Sequence, residues 1–366
     1  ETKLRKITTA TEELENLITS LEANGTHCPT CSGRGACSDE STPFTCVCTN
    51  GYAPPYCALS DNEVKQIEDI KLKILDKLAE TYGALGNVTK DQVLETLKAL
   101  SGNPDANTNK TLKAIEQLLR TVIGLNDPKT ILTESQTESL ASILDNMLKY
   151  ASITDCKLQT EFSKLLMNSS IDYLNLISAS TLQNKITNEN ASLIITNNFD
   201  VSVGKYTECS LTSGNISASD SAPSISLDSK SSSPPNCTKE LSLAYYAINS
   251  NLFDCESANV SKSFVSLEIK DPETGESVLE DFKAEIEVLP GMTCPPNCAK
   301  SESSSSCQCE DLSVLDVSSQ MKNLFANSNL NKLSNVNALK DWQFWKSVAF
   351  WSVLSMVVWY LVTILI

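Results

Sequence analysis

The stretch that decides the fold is residues 292–317, MTCPPNCAKSESSSSCQCEDLSVLDV. An acidic pair, a Leu312-Ser313 step and an alternating apolar run close it, and this alternation predicts a short strand over 312–317. Further on, twenty uncharged and mostly apolar residues, 347–366, are long enough to cross roughly 30 Å of hydrocarbon. A sulfur-rich knuckle therefore lies shortly before a predicted membrane span. Its cysteines are Cys294, Cys298, Cys307 and Cys309.

The predicted span has the flanks of a membrane segment. Tryptophan favours the membrane–water interface, and every tryptophan of the chain lies in this neighbourhood. We predict a juxtamembrane linker over 321–342 and a transmembrane helix over 343–366, with the residues before about 343 outside the cell. The chain starts at Glu1 without a signal peptide and stops inside the apolar run, so we expect the outer portion of a larger membrane protein. The tryptophans are Trp342, Trp345, Trp351 and Trp359.

Composition points to an oxidising, extracellular setting. A length of 366 residues predicts two or three domains, and a net charge of −16 argues against binding to nucleic acid or anionic lipid. Fourteen cysteines, an even number, favour disulfides. Eight Asn-x-Ser/Thr acceptors predict a glycosylated surface. They are Asn24, Asn87, Asn109, Asn168, Asn190, Asn215, Asn236 and Asn259.

The first part of the chain predicts a helix and a small cross-linked module. Residues 1–23 carry a helical apolar stripe, which indicates the tail of an upstream module. Six cysteines follow within thirty residues, too few to bury a core without cross-links. Their spacing resembles an EGF-like module over 24–59, which implies pairing of the first with the third, the second with the fourth and the fifth with the sixth. These cysteines are Cys28, Cys31, Cys37, Cys46, Cys48 and Cys57.

No metal or cofactor is expected. The calcium-binding subtype of the EGF-like module has an acidic motif before its first cysteine, and ANGTHC has none. His27 is the single histidine, so no second imidazole exists to share a metal, and we interpret it as a surface residue.

Residues 60–190 predict a helical bundle of four to six members. Three capping boxes mark helix starts, Ser60 with Glu63, Thr89 with Gln92 and Thr133 with Gln136. Apolar stripes follow them, and we assign these stripes to a core. The stripe of the first helix is Val64, Ile67, Ile74 and Leu78.

From about 191 the hydrophobic period falls to two, which predicts an antiparallel β-sandwich over 191–320. Runs around Val201, Leu267 and Ile286 alternate, and LSLAYYAINSNLF predicts a further strand. KDPETGES reads as a hairpin connection between the last two runs. The Ser/Pro-rich residues 211–236 predict a long exposed loop with room for one short strand at Ile225 and Leu227.

The order of helices, sandwich, cysteine cluster and span resembles the GAIN domain with its terminal GPS motif. Cys294, Cys298, Cys307 and Cys309 occupy the motif's cysteine positions, and Leu312-Ser313 occupies its cleavage step. The polycystin-1-like family is the most similar, and adhesion-type G-protein-coupled receptors come second. This implies a multidomain α+β protein of the plasma or ciliary membrane, with the last strand held in the sandwich.

The chain departs from the GPS pattern at the residues that would cleave it. The family's tryptophans between the first cysteines are missing, and Asp311 replaces a histidine. Self-cleavage needs a base to accept the proton of the Ser313 hydroxyl as it attacks the Leu312 carbonyl. Aspartate, with a reference pKa of about 3.9, is a weaker base than histidine near pH 7. We therefore expect the motif to remain uncut.

Three functions remain open: a polycystin-like sensor or adhesion protein, an adhesion-type receptor, and a single-span adhesion glycoprotein. Expected partners are membrane lipid, extracellular protein or glycan ligands, and a channel or receptor chain, but no nucleic acid. An enzyme is the least supported class, because one histidine allows no histidine-based triad. The sequence does not decide among the three possible pairings of the remaining four cysteines. These cysteines are Cys156, Cys209, Cys237 and Cys255.

Overall fold

The computed structural model describes the cysteine-rich, helical and sandwich segments with several gaps. The predicted N-terminal helix (1–23), linker (321–342) and membrane helix (343–366) lie outside the described residues. Within those residues, no helix combines the length and apolar character needed to cross a bilayer. The described ranges are 31–37, 46–54, 56–84, 88–125, 127, 129–153, 160–219, 222–231, 235–248, 264–287, 294, 298–301 and 306–315.

The described residues contain five long helices, in agreement with the predicted bundle of four to six members, and these helices form one layer. All three predicted capping boxes are present; in the second, Gln92 N–H donates to the Thr89 hydroxyl while the Gln92 side chain accepts from the Thr89 N–H. Each box satisfies backbone donors that the helix itself leaves unpaired. The helices are α1 (Asp61–Ala84), α2 (Lys90–Ser101), α3 (Asn109–Ile123), α4 (Glu134–Ile153) and α5 (Thr160–Leu182).

The helices bury their apolar stripes in a common core, but the stripe predicted for α1 is wrong at one position. Ile74 is 40% exposed, whereas Leu75 is 3% exposed. The face of α1 that packs on the core is centred on Lys71, Leu75 and Leu78. The error arose because a buried lysine interrupts the inward stripe, and Ile70 and Ile74 supply an apolar pattern on the neighbouring face.

The described strands form a two-stranded ribbon, within the cysteine-rich module, and a β-sandwich. The sandwich prediction is confirmed: a four-stranded sheet of order β3-β4-β7-β8 packs against a five-stranded sheet of order β10-β11-β9-β6-β5. Paired strands are antiparallel throughout. The strands are β1 (Gly35–Cys37), β2 (Cys46–Cys48), β3 (Ser192–Ile195), β4 (Phe199–Thr207), β5 (Asn215–Ile216), β6 (Ser224–Ser229), β7 (Glu240–Ile248), β8 (Phe264–Lys270), β9 (Phe282–Glu287), β10 (Ala299–Lys300) and β11 (Ser306–Cys309).

The four-stranded sheet is the middle layer of three. Alternate side chains of β7 enter two different cores, because neighbouring residues of a strand point to opposite faces. Tyr246 faces the helices, where its hydroxyl shares a 2.8 Å hydrogen bond with Ser178 of α5. Tyr245 faces the second sheet and is fully buried there. Strand β7 therefore contributes side chains both to the helical core and to the core between the two sheets.

Two details of the predicted sandwich are wrong. KDPETGES does not connect a hairpin: β8 pairs with β7, while β9 lies in the other sheet between β6 and β11. The turn itself exists, since Gly275 N–H donates to the Asp271 carbonyl at 2.8 Å, but the chain then crosses between the sheets. The Ser/Pro-rich residues 211–236 do not form a long exposed loop, because β5 and β6 lie within them. The short strand predicted at Ile225 and Leu227 is confirmed as β6, where both side chains are buried.

The small disulfide-linked module predicted over 24–59 is joined directly to the helical layer. Disulfides Cys31–Cys46 and Cys48–Cys57 are two of the three pairings that the resemblance implied. The third, Cys28 with Cys37, rests on a residue outside the described part. Asp61 N–H, at the start of α1, donates to the Gly51 carbonyl at 3.0 Å.

A second contact fixes the module from the side. The backbone N–H of Tyr56 donates to the Asp105 carboxylate at 3.1 Å, and Asp105 lies in the 3-10 turn Pro104–Ala106 between α2 and α3. Burial raises the pKa of Asp105, and this hydrogen bond opposes the rise. Contacts at two separated points set the orientation of the module on the helices.

Lys71 is a buried cation on α1. Its ammonium donates to the Leu100 carbonyl at the end of α2 and to Asn107 Oδ1, both at 2.7 Å. No acidic partner of Lys71 occurs among the ion pairs of the described residues. Desolvation lowers its pKa to about 8.

Lys71 should make the free energy of unfolding depend on pH. The folded pKa is about 8, below the usual value of about 10.4, so between these values the unfolded chain binds more protons. The free energy of unfolding then rises with pH, by at most about 1.4 kcal/mol per unit. We expect Lys71→Met to remove this rise in urea melts between pH 7.5 and 9.5. Lys73→Met, on an exposed position of the same helix, should retain it; equal slopes in both variants would contradict the assignment.

Candidate functional site

The candidate site is the cysteine knuckle at the edge of the five-stranded sheet. Disulfides link Cys294 to Cys307 and Cys298 to Cys309. The single residue between Cys307 and Cys309 places both sulfurs on the same face of β11. Both side chains are buried, at 0% and 1% exposure, whereas Gln308 points to solvent. The spacing thus directs both cross-links into the sandwich.

β11 is held from both sides. It pairs with β10 on one edge and with β9 on the other, with Cys307 opposite Ile286 and Cys309 opposite Ala284. Ser306, the first residue of β11, also donates its hydroxyl to Glu285 on β9. Backbone hydrogen bonds to β9 and β10, together with two disulfide bonds, therefore fix the strand that precedes the candidate cleavage step.

The predicted strand over 312–317 is wrong where the structure describes it. Leu312–Leu315 form a 3-10 turn, while 316 and 317 lie outside the described residues. Asp311 explains the turn: its carboxylate accepts the Ser313 N–H at 3.0 Å. A side chain that accepts a backbone N–H two residues on favours a turn over an extended chain. Apolar alternation could not reveal this local competition.

The turn is nevertheless part of the sandwich core. Leu312 and Leu315 are both 0% exposed and pack among the side chains between the sheets. The buried Ser266 hydroxyl on β8 donates to the Leu315 carbonyl at 2.7 Å. Burial of each leucine is worth about 1.5–3 kcal/mol. The turn therefore closes one end of the sandwich.

Asp311, Leu312 and Ser313 lie next to one another in the described chain, and the carboxylate of Asp311 is a weak base. Asp311 and Ser313 are exposed. The hydroxyl and then the N–H of Ser313 hold the pKa of Asp311 below its usual value, and Lys230 adds to this. A carboxylate with a lowered pKa is ionised near neutral pH but accepts a proton poorly. The arrangement stabilises the turn.

The structure also settles one of the open cysteine pairings. Cys209 is bonded to Cys237, while Cys156 and Cys255 lie outside the described residues. No cysteine in the described segments is a free thiol. Nor do those segments hold a group of three or more His, Cys, Asp or Glu residues that could bind a metal ion.

Four predicted glycosylation acceptors have described side chains. Asn190, Asn215 and Asn236 are exposed, and Asn109 is half-buried at the first residue of α3. For Asn24, Asn87, Asn168 and Asn259 the structure describes no side chain. Occupancy of all eight stays a prediction.

One buried polar cluster was missed by sequence reasoning. Glu116 of α3 is 1% exposed and accepts from Arg120 Nε at 2.7 Å and from the Tyr173 hydroxyl at 3.3 Å. Arg120 also donates to Asp172 of α5 at 2.8 Å. The pair Glu116–Arg120 has i,i+4 spacing, which could have suggested a helix pair but not its burial. The cluster clamps α3 to α5.

Comparison with known proteins adds little. No protein-family model matches the chain, and no curated protein matches it. Among solved structures, the full extracellular region of zebrafish Gpr126/Adgrg6 is similar to the chain, with a TM-score of 0.34 and 10% identity. The match covers 61% of this chain and 34% of that structure, so the chain spans about a third of its length. The architecture above rests on the sheets and helices of this chain alone.

The buried turn predicts a selective loss of stability. We expect Leu312→Ala to lower the free energy of unfolding by about 2–5 kcal/mol, because it empties a fully buried position. The neighbouring Ser313→Ala, at an exposed position, should change it by roughly 0.5 kcal/mol or less. Denaturant melts followed by tyrosine fluorescence measure both. Equal effects of the two substitutions would mean that the turn is not seated in the core.

Because Asp311 is a weak base, we predict that the chain stays uncut between Leu312 and Ser313. When the chain is expressed in animal cells with a tag at each end, we expect both tags on one polypeptide near neutral pH. The reason is that Asp311, with its lowered pKa, cannot take up the Ser313 proton effectively. Denaturing immunoblots followed by N-terminal sequencing measure this. A membrane-bound fragment that starts at Ser313 would refute it.

Proposed function

We propose that this chain is the extracellular and first membrane-spanning part of a polycystin-like surface protein with an adhesion or mechanosensory role. The observation that supports it best is the burial of Leu312 and Leu315 between the two sheets. This turn directly follows β11, whose two disulfides point into the sandwich. A mechanical force applied to the outer domains would be transmitted to the predicted membrane helix through this turn.

The described contacts support a continuous path for force. The EGF-like module joins α1 through the Asp61–Gly51 hydrogen bond. The helices join the middle sheet, where Asn198 N–H, just before β4, donates to the buried Asp145 of α4 at 2.9 Å. The middle sheet shares its second core with β9 and β11. Within the described residues, each step of this path is a packed or hydrogen-bonded contact.

The knuckle is suited to resist peeling. Pull applied beyond Leu315 acts first on the turn and then on β11. β11 lies between two neighbours, so its removal breaks two ladders at once. The disulfides at Cys307 and Cys309 also tie it covalently to the segment that follows β9. An uncut chain at Leu312-Ser313 would keep this connection covalent over its whole length.

The alternative is an adhesion-type receptor ectodomain. That function needs a strand, beginning near Ser313, that can re-enter a receptor core. More than thirty mostly polar residues separate Ser313 from the apolar run at 347–366, and Leu312–Leu315 form a turn. Both observations favour the polycystin-like proposal. The encoded sequence beyond Ile366 separates the classes: ten more spans would support a polycystin, six a receptor, and a short basic tail a single-span adhesion protein.

The force path can be tested by pulling on single molecules. The full chain, held in a bilayer nanodisc, is pulled from Glu1, and the sandwich is identified by its contour length. We expect Leu312→Ala to lower the force at which the sandwich unfolds, because that turn carries load, while Ser313→Ala leaves it unchanged. Equal forces in wild type and Leu312→Ala would favour a passive glycosylated stem instead.

A further inference from the structure

Two open sheet edges lie on the same side of the sandwich. β3 ends the four-stranded sheet and β5 ends the five-stranded sheet, and within the described residues each pairs with a single neighbour. An open edge offers backbone donors and acceptors to another chain, so natural proteins cover or blunt it. On the opposite side of the sandwich, the Leu315 carbonyl of the turn accepts a hydrogen bond from Ser266 on β8, the last strand of the four-stranded sheet.

The β3 edge is apolar as well as open. Leu193 is 52% exposed and Ile195 is 60% exposed. They lie opposite Ser202 and Asp200 of β4, and so on the face turned toward the second sheet. Ile194, between them, packs on the helical core. An open edge strand with two exposed aliphatic side chains favours pairing with a second copy.

A cleft lies between the start of β3 and β5. Ala191, just before β3, and Ser202 line it together with Asn215 and Ile216 of β5. The Ser219 hydroxyl, shortly after β5, donates to the buried Asp200 carboxylate at 2.7 Å. The two edges are thus held next to each other across one cleft.

Each open edge carries a glycosylation acceptor. Asn190-Ala-Ser192 ends on the first residue of β3, and Asn215-Ile-Ser217 starts within β5. Both asparagines are exposed. Two acceptors on the two unprotected edges, beside the exposed aliphatic pair, place bulky hydrophilic chains where edge pairing would otherwise occur.

We propose that N-linked glycans on Asn190 and Asn215 shield the open β3 and β5 edges against pairing with a second copy of this chain. The proposal rests on the extracellular placement in the proposed function. Attachment joins Asn Nδ2 to the anomeric carbon of an oligosaccharide carried on a lipid pyrophosphate. The lipid pyrophosphate leaves, and Nδ2 loses one proton to solvent.

The test removes the acceptors without changing either asparagine. The full chain is expressed in animal cells and purified in mild detergent as Ser192→Ala/Ser217→Ala and as the matched control Ser192→Thr/Ser217→Thr, which keeps both acceptors. Light scattering after size exclusion gives the mass, and peptide mass spectrometry gives the occupancy. We expect the Ala variant to shift to twice the protein mass of the Thr control or more. Adding Leu193→Lys and Ile195→Lys should reverse the shift.

A second measurement covers the case in which the Ala variant does not fold. Trimming the glycans of the folded wild-type protein with an endoglycosidase should produce the same shift. Equal masses before and after trimming would overturn the proposal, as would bare Asn190 and Asn215 in a chain glycosylated at any other acceptor. A chain bare at all eight acceptors would instead overturn the extracellular placement itself.

Discussion

The pair of disulfides on the inward face of β11 is the constraint on which the rest of the structure depends. The linked residues are 13 and 11 positions apart in sequence. Closing a loop of this size restricts the unfolded chain by about 3 kcal/mol in the chain-entropy view. Because the loops overlap, the two contributions do not simply add. What the cross-links secure is position: β11 cannot leave β9 without moving the buried Cys307 and Cys309.

This constraint extends to the rest of the molecule through shared walls. β11 fixes the end of the core between the sheets, and Leu312 and Leu315 close that core. β7 is common to this core and to the helical one, through Tyr245 on one face and Tyr246 on the other. A displacement at the knuckle therefore alters packing against the helices, and through α1 it reaches the small disulfide-linked module.

Local signals predicted well what local physics decides. Capping boxes such as Thr89 with Gln92 satisfy their own backbone groups, so they were readable from the sequence. The Cys-x-Cys spacing likewise predicted a disulfide knuckle. The strand predicted over 312–317 is wrong at 312–315, where the Asp311 carboxylate accepts the Ser313 N–H and favours a turn. Apolar alternation contains no information about that competition.

Long-range decisions were less readable. The turn in KDPETGES could be found, but the sheet that receives β9 depends on contacts with β6 and β11, far along the chain. Lys71 misled the assignment of the buried face of α1, because its partners, Leu100 and Asn107, lie on other elements. At the candidate site, residues 312–315 lie in the sandwich as the resemblance implied, but they form a turn instead of a strand. The cleavage step at Asp311, Leu312 and Ser313 stays a prediction.

The central claim is that the knuckle and its turn belong to the same cooperative unit as the middle of the sandwich. Native-state hydrogen exchange of the oxidised protein, followed by mass spectrometry at increasing denaturant, measures this directly. The account predicts that the amides of β11 and of Leu315 open with the same free energy as those of β7. Opening of 306–315 at a much lower free energy than β7 would contradict it and would make this region a tether.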